Sequence, residues 1–139
     1  MDQARKGVFM KVVSEEPFAS LMHIRLVEVD EGYAVCEMEY GGHMDNIHGM
    51  AHGGAVFSLI DEAFEVSSNS HGTAAVALNM NVTYVKPAVK GSVLRAESRE
   101  TSRGRKTATY SITVEDGDGL VATCQALVYR KKEQLPFLT

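Results

Sequence analysis

The stretch NIHGMAHGGAVFSLIDEAF, residues 46–64, holds glycines, histidines and one central carboxylate in an arrangement that could do chemistry. His52, Gly53 and Gly54 lead directly into an apolar, helix-like run, and Asp61 lies within that run. The first N–H groups of a helix lack partners within it, and the helix dipole makes that end positive. Because glycine lets a ligand approach the backbone closely, these residues predict a cradle for a carbonyl oxygen that becomes an oxyanion. The glycines would also suit a tight turn or a close packing contact.

The position of Asp61 raises a question of distance. It comes eight residues after Gly53, which is about 12 Å along a helix axis. A single helix therefore cannot bring this carboxylate to its own first N–H groups. If the two groups cooperate, they belong to different subunits, and a two-fold dimer would form two equal sites. The alternative is that Asp61 is a solvated or ion-paired member of a polar stripe with Glu62 and Glu65.

The other histidines of this region suggest a metal site only weakly. His48 and His52 are four residues apart, a spacing that suits two ligands on a helix, and His43 and Asp45 are close by. However, the glycine-rich sequence between them argues against a helix, and no cysteine or glutamate motif completes a zinc site. The sequence therefore predicts no metal site here.

Composition limits the classes of function. The chain has 139 residues, enough for one domain, and its net charge of −4 favours neither nucleic acid nor an anionic membrane as a partner. No apolar run reaches the roughly 20 residues of a transmembrane helix, and the N-terminus lacks the pattern of a secretory signal. Cys36 and Cys124 lie in strand-like runs and are interpreted as buried free thiols. We therefore expect a soluble cytoplasmic protein.

The elements around this stretch follow from hydrophobic periodicity and turn residues. Helical segments are predicted at 1–13 and 14–22, with Ser14 as a cap, and a loop at 41–52. The predicted long helix covers 53–68, and strands are predicted at 23–30, 33–40, 73–85, 92–100, 106–116 and 120–131. Antiparallel hairpins form a sheet that must bury one face, and only the long helix is apolar enough to cover it. The sequence thus predicts an α+β fold in which a sheet wraps around one central helix.

The pattern Asn46-x-x-Gly49-x-x-His52-Gly53-Gly54, followed by Leu59-x-Asp61-x-Ala63, resembles the signature of hotdog-fold acyl-CoA thioesterases. The resemblance is strongest to the phenylacetate-degradation thioesterase group, and it covers roughly residues 20–130, including NMNVTYVKPAVKG and GRKTATYSITV. It implies an antiparallel sheet around one long helix, in a single domain over 1–139 with a helical extension at 1–22.

The resemblance also implies roles for the matching residues. Asp61 would act as the nucleophile, or as the general base for water, at the thioester carbon. The N–H of Gly53 would polarise the thioester carbonyl, Asn46 would orient water or the carbonyl, and His52 would shape the oxyanion site through a hydrogen bond. Members of the family form dimers with composite sites, commonly paired into homotetramers. No cofactor is implied, because coenzyme A is part of the substrate.

One position departs from the family. Some relatives have a serine or threonine in the strand after the helix, where this chain has Ala77. If a side chain assists water there, the sequence offers Asn79 or Ser67 instead.

Coenzyme A carries phosphates, so a basic patch is expected near the mouth of the site. The candidates for substrate binding, together with Gly54, are Arg103, Arg105, Lys106 and Lys90. Arginine side chains match phosphate oxygens well, although hairpin tips are also charged simply because they are solvated. Phe57, Phe64 and Met50 could line an acyl pocket or pack in the core.

The implied reaction is hydrolysis of a small aromatic or short- to medium-chain acyl-CoA to the free acid and coenzyme A. A thioester hydratase or dehydratase on the same fold is an alternative, but it usually needs a histidine paired with an acid. A non-catalytic acyl-CoA-binding or sensing module is another. Such a module would keep Gly53 and the basic patch but would have no need for Asp61.

Overall fold

The computed structural model describes residues 1–139 and contains three α-helices and one six-stranded antiparallel sheet. The helices are α1 (Gln3–Glu15), α2 (Pro17–Leu21) and α3 (Gly53–Asn69). The strands are β1 (Ile24–Asp30), β2 (Tyr33–Glu39), β3 (Thr73–Tyr84), β4 (Val93–Arg103), β5 (Thr107–Asp116) and β6 (Gly119–Gln134). None of the helices combines the length and the apolar character needed to cross a membrane.

The strand order across the sheet is β1-β2-β4-β5-β6-β3, and every neighbouring pair is antiparallel. β3 follows α3 in the chain but pairs only with β6, so it forms one edge of the sheet. Val76, Leu78 and Tyr84 of this strand are exposed, with Leu78 retaining 56% of its accessible surface. The edge of β3 is therefore long, apolar and unpaired in a single chain.

α3 packs against the sheet and contacts all six strands. Leu59, Ile60 and Ala63 are completely buried, and the ring of Phe64 packs edge-to-face on Tyr110 with 5.4 Å between ring centroids. These side chains recur at helical spacing, which is why the apolar face of α3 meets the sheet along its length. The sheet wraps around one central helix, as the sequence predicts.

The N-terminal helices add to the same core. Phe9, Val13 and Ala19 belong to the buried cluster formed by the sheet and α3. The prediction of Ser14 as a helix cap is wrong. Its hydroxyl donates to the carbonyl oxygen of Lys11 within α1, and α2 begins later, at Pro17. Proline suits the first position of a helix because the N–H it lacks would have no partner there.

The C-terminal strands run further than predicted. β4 continues through Arg103 and β6 through Gln134, so three residues assigned to a turn and part of the tail are strand. The tail then packs back on α1, where Phe137 meets Phe9 with 5.5 Å between ring centroids. Cys36 and Cys124 are buried free thiols, as expected.

Candidate active site

His52 caps the N-terminus of α3. Its backbone is extended, and its Nδ1 atom accepts a hydrogen bond of 2.8 Å from the N–H of Gly54. Because Nδ1 is an acceptor, the proton of the neutral ring is on Nε2. The next two N–H groups, of Ala55 and Val56, donate to the carbonyl oxygen of His52. The N–H of Gly53 has no acceptor within the chain, so it is the donor that remains for a ligand.

This arrangement separates the two glycines that the sequence analysis grouped together. The N–H of Gly54 is occupied by His52, so Gly54 contributes its small size to a ligand site and no hydrogen bond. Tyr84 lies over Gly53, where an added Cβ would be 3.2 Å from the Cζ atom of the ring. The tyrosine hydroxyl donates to the carbonyl oxygen of Gly53 at 3.1 Å. The close approach of Tyr84 favours glycine here, because a larger side chain would press against the ring.

Asn46 organises the loop in front of the helix. Its Oδ1 atom accepts from the N–H groups of His48 and Met50, at 2.8 and 3.1 Å. Two N–H donors identify this side of the amide as the oxygen, and Gly49 completes the turn with a φ of +72°. The Nδ2 group makes no hydrogen bond within the chain, so it can donate to the oxygen of a ligand.

Asn46 and Gly53 line one cavity of about 370 Å³, called here the Gly53 cavity. Its other lining residues are Met50, Ala51, Val56, Tyr84, Val85, Lys86, Pro87, Ala88 and Val121. The walls are mostly apolar. The free N–H of Gly53 and the amide of Asn46 are therefore polar groups at the surface of an apolar pocket, as in many ligand sites.

Asp61 lies in a different place. It lines a second cavity of about 380 Å³, called here the acidic cavity. The other lining residues are Glu16, Phe18, Ser58, Glu62, Phe64, Glu65, Ser68, Ala75, Val76 and Ala77. The two cavities share no residue. Within one chain, Asp61 and Gly53 do not meet, which agrees with the length of helix between them.

The surroundings of Asp61 are acidic. Burial raises the pKa of its carboxyl group, and the carboxylate of Glu16 raises it further. Asp61 takes part in no salt bridge, so the ion-paired alternative does not hold. The solvated stripe holds in part, because Asp61 and Glu65 are exposed within the chain, whereas Glu62 is only 3% exposed.

Comparisons with known proteins identify the family. The sequence pattern of the Thioesterase superfamily matches residues 48–123, more than half of the chain. The chain belongs to the thioesterase superfamily. It is 42% identical to a protein of Archaeoglobus fulgidus over 84% of this chain and 76% of that one. It is 36% identical to the acyl-coenzyme A thioesterase PaaI of Escherichia coli over 69% of each chain.

Comparison of the fold with solved structures identifies the same group of thioesterases. The solved structure of the Escherichia coli PaaI protein from the phenylacetic acid degradation operon superposes with a TM-score of 0.85. It has 30% sequence identity, and the match covers 89% of this chain and 91% of that one. The predicted α+β hotdog fold and the resemblance to the PaaI group are confirmed. The chain is a thioester hydrolase.

The basic residues predicted to form one patch of this thioesterase lie in three places. Lys90 lies near the loop of the Gly53 cavity, with its Nζ atom 3.7 Å from the Oδ2 atom of Asp45. Arg103 lies at the end of β4 and contacts His71, beyond the C-terminus of α3. Arg105 and Lys106 line a polar groove of about 500 Å³. Its other lining residues, which the sequence analysis did not single out, are Tyr129, Arg130, Lys131, Lys132 and Glu133.

The structure also bears on the side chains proposed to assist water in place of a hydroxyl at position 77. Ser67 is fully buried and lies between the carbonyl oxygen of Phe64 and the hydroxyl of Ser98, so it cannot assist water. Ala77 lines the acidic cavity together with Asp61, and the hydroxyls in this cavity belong to Ser58 and Ser68.

The three residues proposed to line an acyl pocket lie in different places. Met50 lines the Gly53 cavity, whereas Phe64 is a core residue whose edge reaches the acidic cavity. Phe57 lines neither cavity.

A carboxylate that the sequence analysis missed holds one wall of the Gly53 cavity. Asp116 Oδ2 accepts from Lys86 Nζ at 2.6 Å and from the N–H of Val89 at 3.0 Å. Desolvation acts to raise the pKa of Asp116, but the hydrogen bond from Lys86 and the backbone N–H donors lower it to about 2. The segment after β3, which lines the cavity through Lys86 and Ala88, is thus fastened to the end of β5.

Replacing Asp116 with asparagine is expected to lower the free energy of unfolding by about 1–2 kcal/mol at pH 7, because charge-assisted hydrogen bonds are lost. The pKa of Asp116 in the folded chain lies below its ordinary value of 3.8, so its contribution is complete at neutral pH and is lost as the pH falls toward 2. Chemical unfolding at pH 7, 5 and 3 measures this, with Asp118→Asn as the exposed control. A difference between wild type and Asp116→Asn that stays constant down to pH 3 would contradict the assignment.

Proposed function

We propose that this thioesterase hydrolyses acyl-CoA thioesters at composite sites, each formed by the Gly53 cavity of one subunit and Asp61 of the partner subunit. The observation that carries the proposal is the separation of these groups within one chain. The free N–H of Gly53 lies in one cavity and the carboxylate of Asp61 in the other. A second copy of the chain supplies what each cavity lacks.

Pairing of the edge strand β3 between two subunits would bring the Gly53 cavity of one subunit to Asp61 of the other. Ala75, Val76 and Ala77, near its start, line the acidic cavity, while Tyr84, at its end, lines the Gly53 cavity. When two copies of an exposed strand pair antiparallel about a two-fold axis, the start of each lies beside the end of the other. Pairing centred near Met80 would set Val76 opposite the partner's Tyr84. It would also cover the exposed apolar side chains of the edge.

In such a site the thioester carbonyl oxygen accepts hydrogen bonds from the N–H of Gly53 and from Asn46 Nδ2. Both donors stabilise the negative charge that develops on this oxygen. Acting as general base, Asp61 of the partner subunit takes a proton from water as the water oxygen bonds to the carbonyl carbon. The carbon–sulfur bond then breaks, the thiolate of coenzyme A takes up the proton that Asp61 removed from water, and the acid leaves. Direct attack by Asp61 through an anhydride is the alternative route to the same products.

His52 supports this chemistry as a positioning residue. Its ring accepts the N–H of Gly54 and thereby holds the first turn of α3, which leaves the N–H of Gly53 directed at the substrate. His52 caps the helix with a ring nitrogen, whereas the more common caps, aspartate, asparagine and serine, use a side-chain oxygen atom.

We infer a small aromatic or short- to medium-chain acyl group from the similarity to the PaaI group and from the size of the two cavities. Release of free thiol from a panel of acyl-CoAs of increasing length, aliphatic and aromatic, tests both the reaction and this range. Turnover well above the uncatalysed rate for at least one of them is expected. Tight binding of the whole panel without thiol release would overturn the proposal in favour of a binding module.

The basic groove is proposed to contact the phosphates of coenzyme A. Replacing Arg105 and Lys106 together with alanine is expected to raise KM about fivefold and leave kcat nearly unchanged, because exposed ion pairs contribute about 1 kcal/mol of uniform binding. Steady-state kinetics of Lys11→Ala, an exposed lysine on α1, provide the matched control. A fall in kcat without a change in KM would contradict this role. Arg103 and Lys90 are tested in the same way.

We also propose that the dimers pair into a homotetramer and that the protein works in the cytoplasm, where its two buried thiols stay reduced. Sedimentation at several protein concentrations measures the assembly.

A further inference from the structure

Three glutamates converge in the acidic cavity from two parts of the chain. Glu62 and Glu65 are three residues apart on α3 and therefore share one side of the helix. Glu16 comes from the junction where α1 ends and α2 begins. Each of the three offers an oxygen atom that lies within 4.8 Å of those of the other two.

These carboxylates have no cationic partner. No lysine, arginine or histidine forms a salt bridge with any of them. Glu62 is only 3% exposed, and its Oε1 atom is buried without a hydrogen-bond partner. Buried carboxylates are ordinarily paired with a cation or coordinated to a metal, because an unpaired buried charge strongly destabilises a fold. The buried Oε1 atom of Glu62 therefore offers a cation an acceptor that makes no hydrogen bond within the chain.

We propose that Glu16, Glu62 and Glu65 bind a divalent cation that prefers oxygen ligands, such as Ca²⁺ or Mn²⁺. All three ligands are carboxylates, and no cysteine or histidine lines the cavity, which matches the preference of hard cations. Oxygen atoms on opposite sides of Ca²⁺ are roughly 5 Å apart. Three oxygens within 4.8 Å of one another can therefore contact the same ion with small adjustments of their side chains.

Such an ion would join the N-terminal helices to α3. Glu16 lies between α1 and α2, whereas Glu62 directly follows Asp61 on α3. Binding would thus fasten the N-terminal segment over the acidic cavity and reduce the negative charge beside Asp61. The site depends on its own three ligands and does not require the hydrolytic mechanism proposed above.

The test uses the full-length protein after chelation, with calorimetric titration of Ca²⁺, Mn²⁺ and Mg²⁺ and thermal unfolding in their presence. Saturable binding of a single ion per chain is expected for at least one of them. The Tm should rise by roughly 5 °C or more when the free cation exceeds its Kd about 100-fold.

The variant Glu65→Gln keeps the shape of the side chain and removes one ligand charge. We expect its cation affinity to fall at least about tenfold, since one of the three ligand charges is lost. We also expect the Tm of the cation-free variant to rise, because repulsion within the cluster is relieved. These two opposite effects separate ligation from a structural role. Glu15→Gln, an exposed neighbour at the end of α1, is the matched control and should show neither.

Glu16→Gln repeats the test if Glu65→Gln does not fold. The proposal is overturned if the assembled wild-type protein shows no saturable binding of the three ions at millimolar concentration. It is equally overturned if Glu15→Gln loses as much affinity as Glu65→Gln.

Discussion

Asp61→Asn is expected to reduce kcat for thioester hydrolysis by about 10³-fold or more, within the range seen when a general base or nucleophile is removed. Asparagine keeps the shape of the side chain but cannot accept a proton from water or attack the carbonyl carbon. The N–H of Gly53 and the amide of Asn46 are untouched, so KM should change far less than kcat. Thiol release under saturating substrate measures the effect.

Two controls make this result specific to Asp61. The side chain of Asp61 forms no salt bridge or hydrogen bond within the chain, so thermal unfolding of Asp61→Asn should match or exceed that of wild type. Asp118→Asn makes the same chemical change at an exposed turn and should retain full activity. If Asp61→Asn kept a wild-type kcat, the carboxylate would have no part in the reaction.

The same carboxylate admits two chemical routes, which a single turnover in ¹⁸O-labelled water distinguishes. A general base directs labelled water to the thioester carbon, so the first acid released carries ¹⁸O. A nucleophile transfers its own unlabelled oxygen to the acid in that first turnover, provided that water then attacks the carboxyl of Asp61.

The composite site leads to the second large effect. Gly53→Val places a branched side chain against Tyr84 and blocks the oxyanion donor, since even a Cβ would lie 3.2 Å from the ring. Homodimers of Gly53→Val and of Asp61→Asn should each be nearly inactive. After subunit exchange, half of the dimers are hybrids, and each hybrid has one site with both lesions and one intact site. Mixing should therefore restore about a quarter of wild-type activity.

The control for this mixing experiment places both lesions in the same half of the site. Asp61→Asn mixed with Asp61→Ala exchanges subunits equally well, yet no hybrid has an intact site, so no activity should return. Native mass spectrometry verifies that hybrids have formed in both mixtures. Hybrid dimers of Gly53→Val and Asp61→Asn without recovered activity would rule out a site shared between subunits.

Local sequence determined the elements of this protein. Period-two alternation marks the strands, and the apolar residues of 53–68 mark α3, because the side chains that face the core recur at the period of each element. The boundaries of α3 and β3 were predicted to within a residue. Helix geometry alone also separated Asp61 from Gly53, because the rise per residue of a helix does not depend on its surroundings.

Side-chain hydrogen bonds around the site could not be predicted from the sequence in the same way. The sequence places His52, Gly53 and Gly54 together, but the capture of the Gly54 N–H by His52 depends on a rotamer and a backbone angle. Likewise, Asn46 uses its oxygen within its own loop, which leaves only its NH₂ group for a substrate. Such choices are decided by local geometry that residue types do not specify.

Contacts between distant segments were decided only by the tertiary structure. Asp116 reaches Lys86 because the end of β5 lies beside the segment that follows β3. Glu16 reaches Glu62 and Glu65 because α1 and α2 pack on β1, one of the strands that α3 also contacts. Hydrophobic periodicity predicts neither contact. Each contact joins residues from elements that are distant in the sequence, and the positions of these elements are set by the strand order and by the burial of the whole sheet. The sequence by itself thus determined the fold, the family and the separation of Gly53 from Asp61. The packing of the chain determined which donors are free and where carboxylates from distant segments come together.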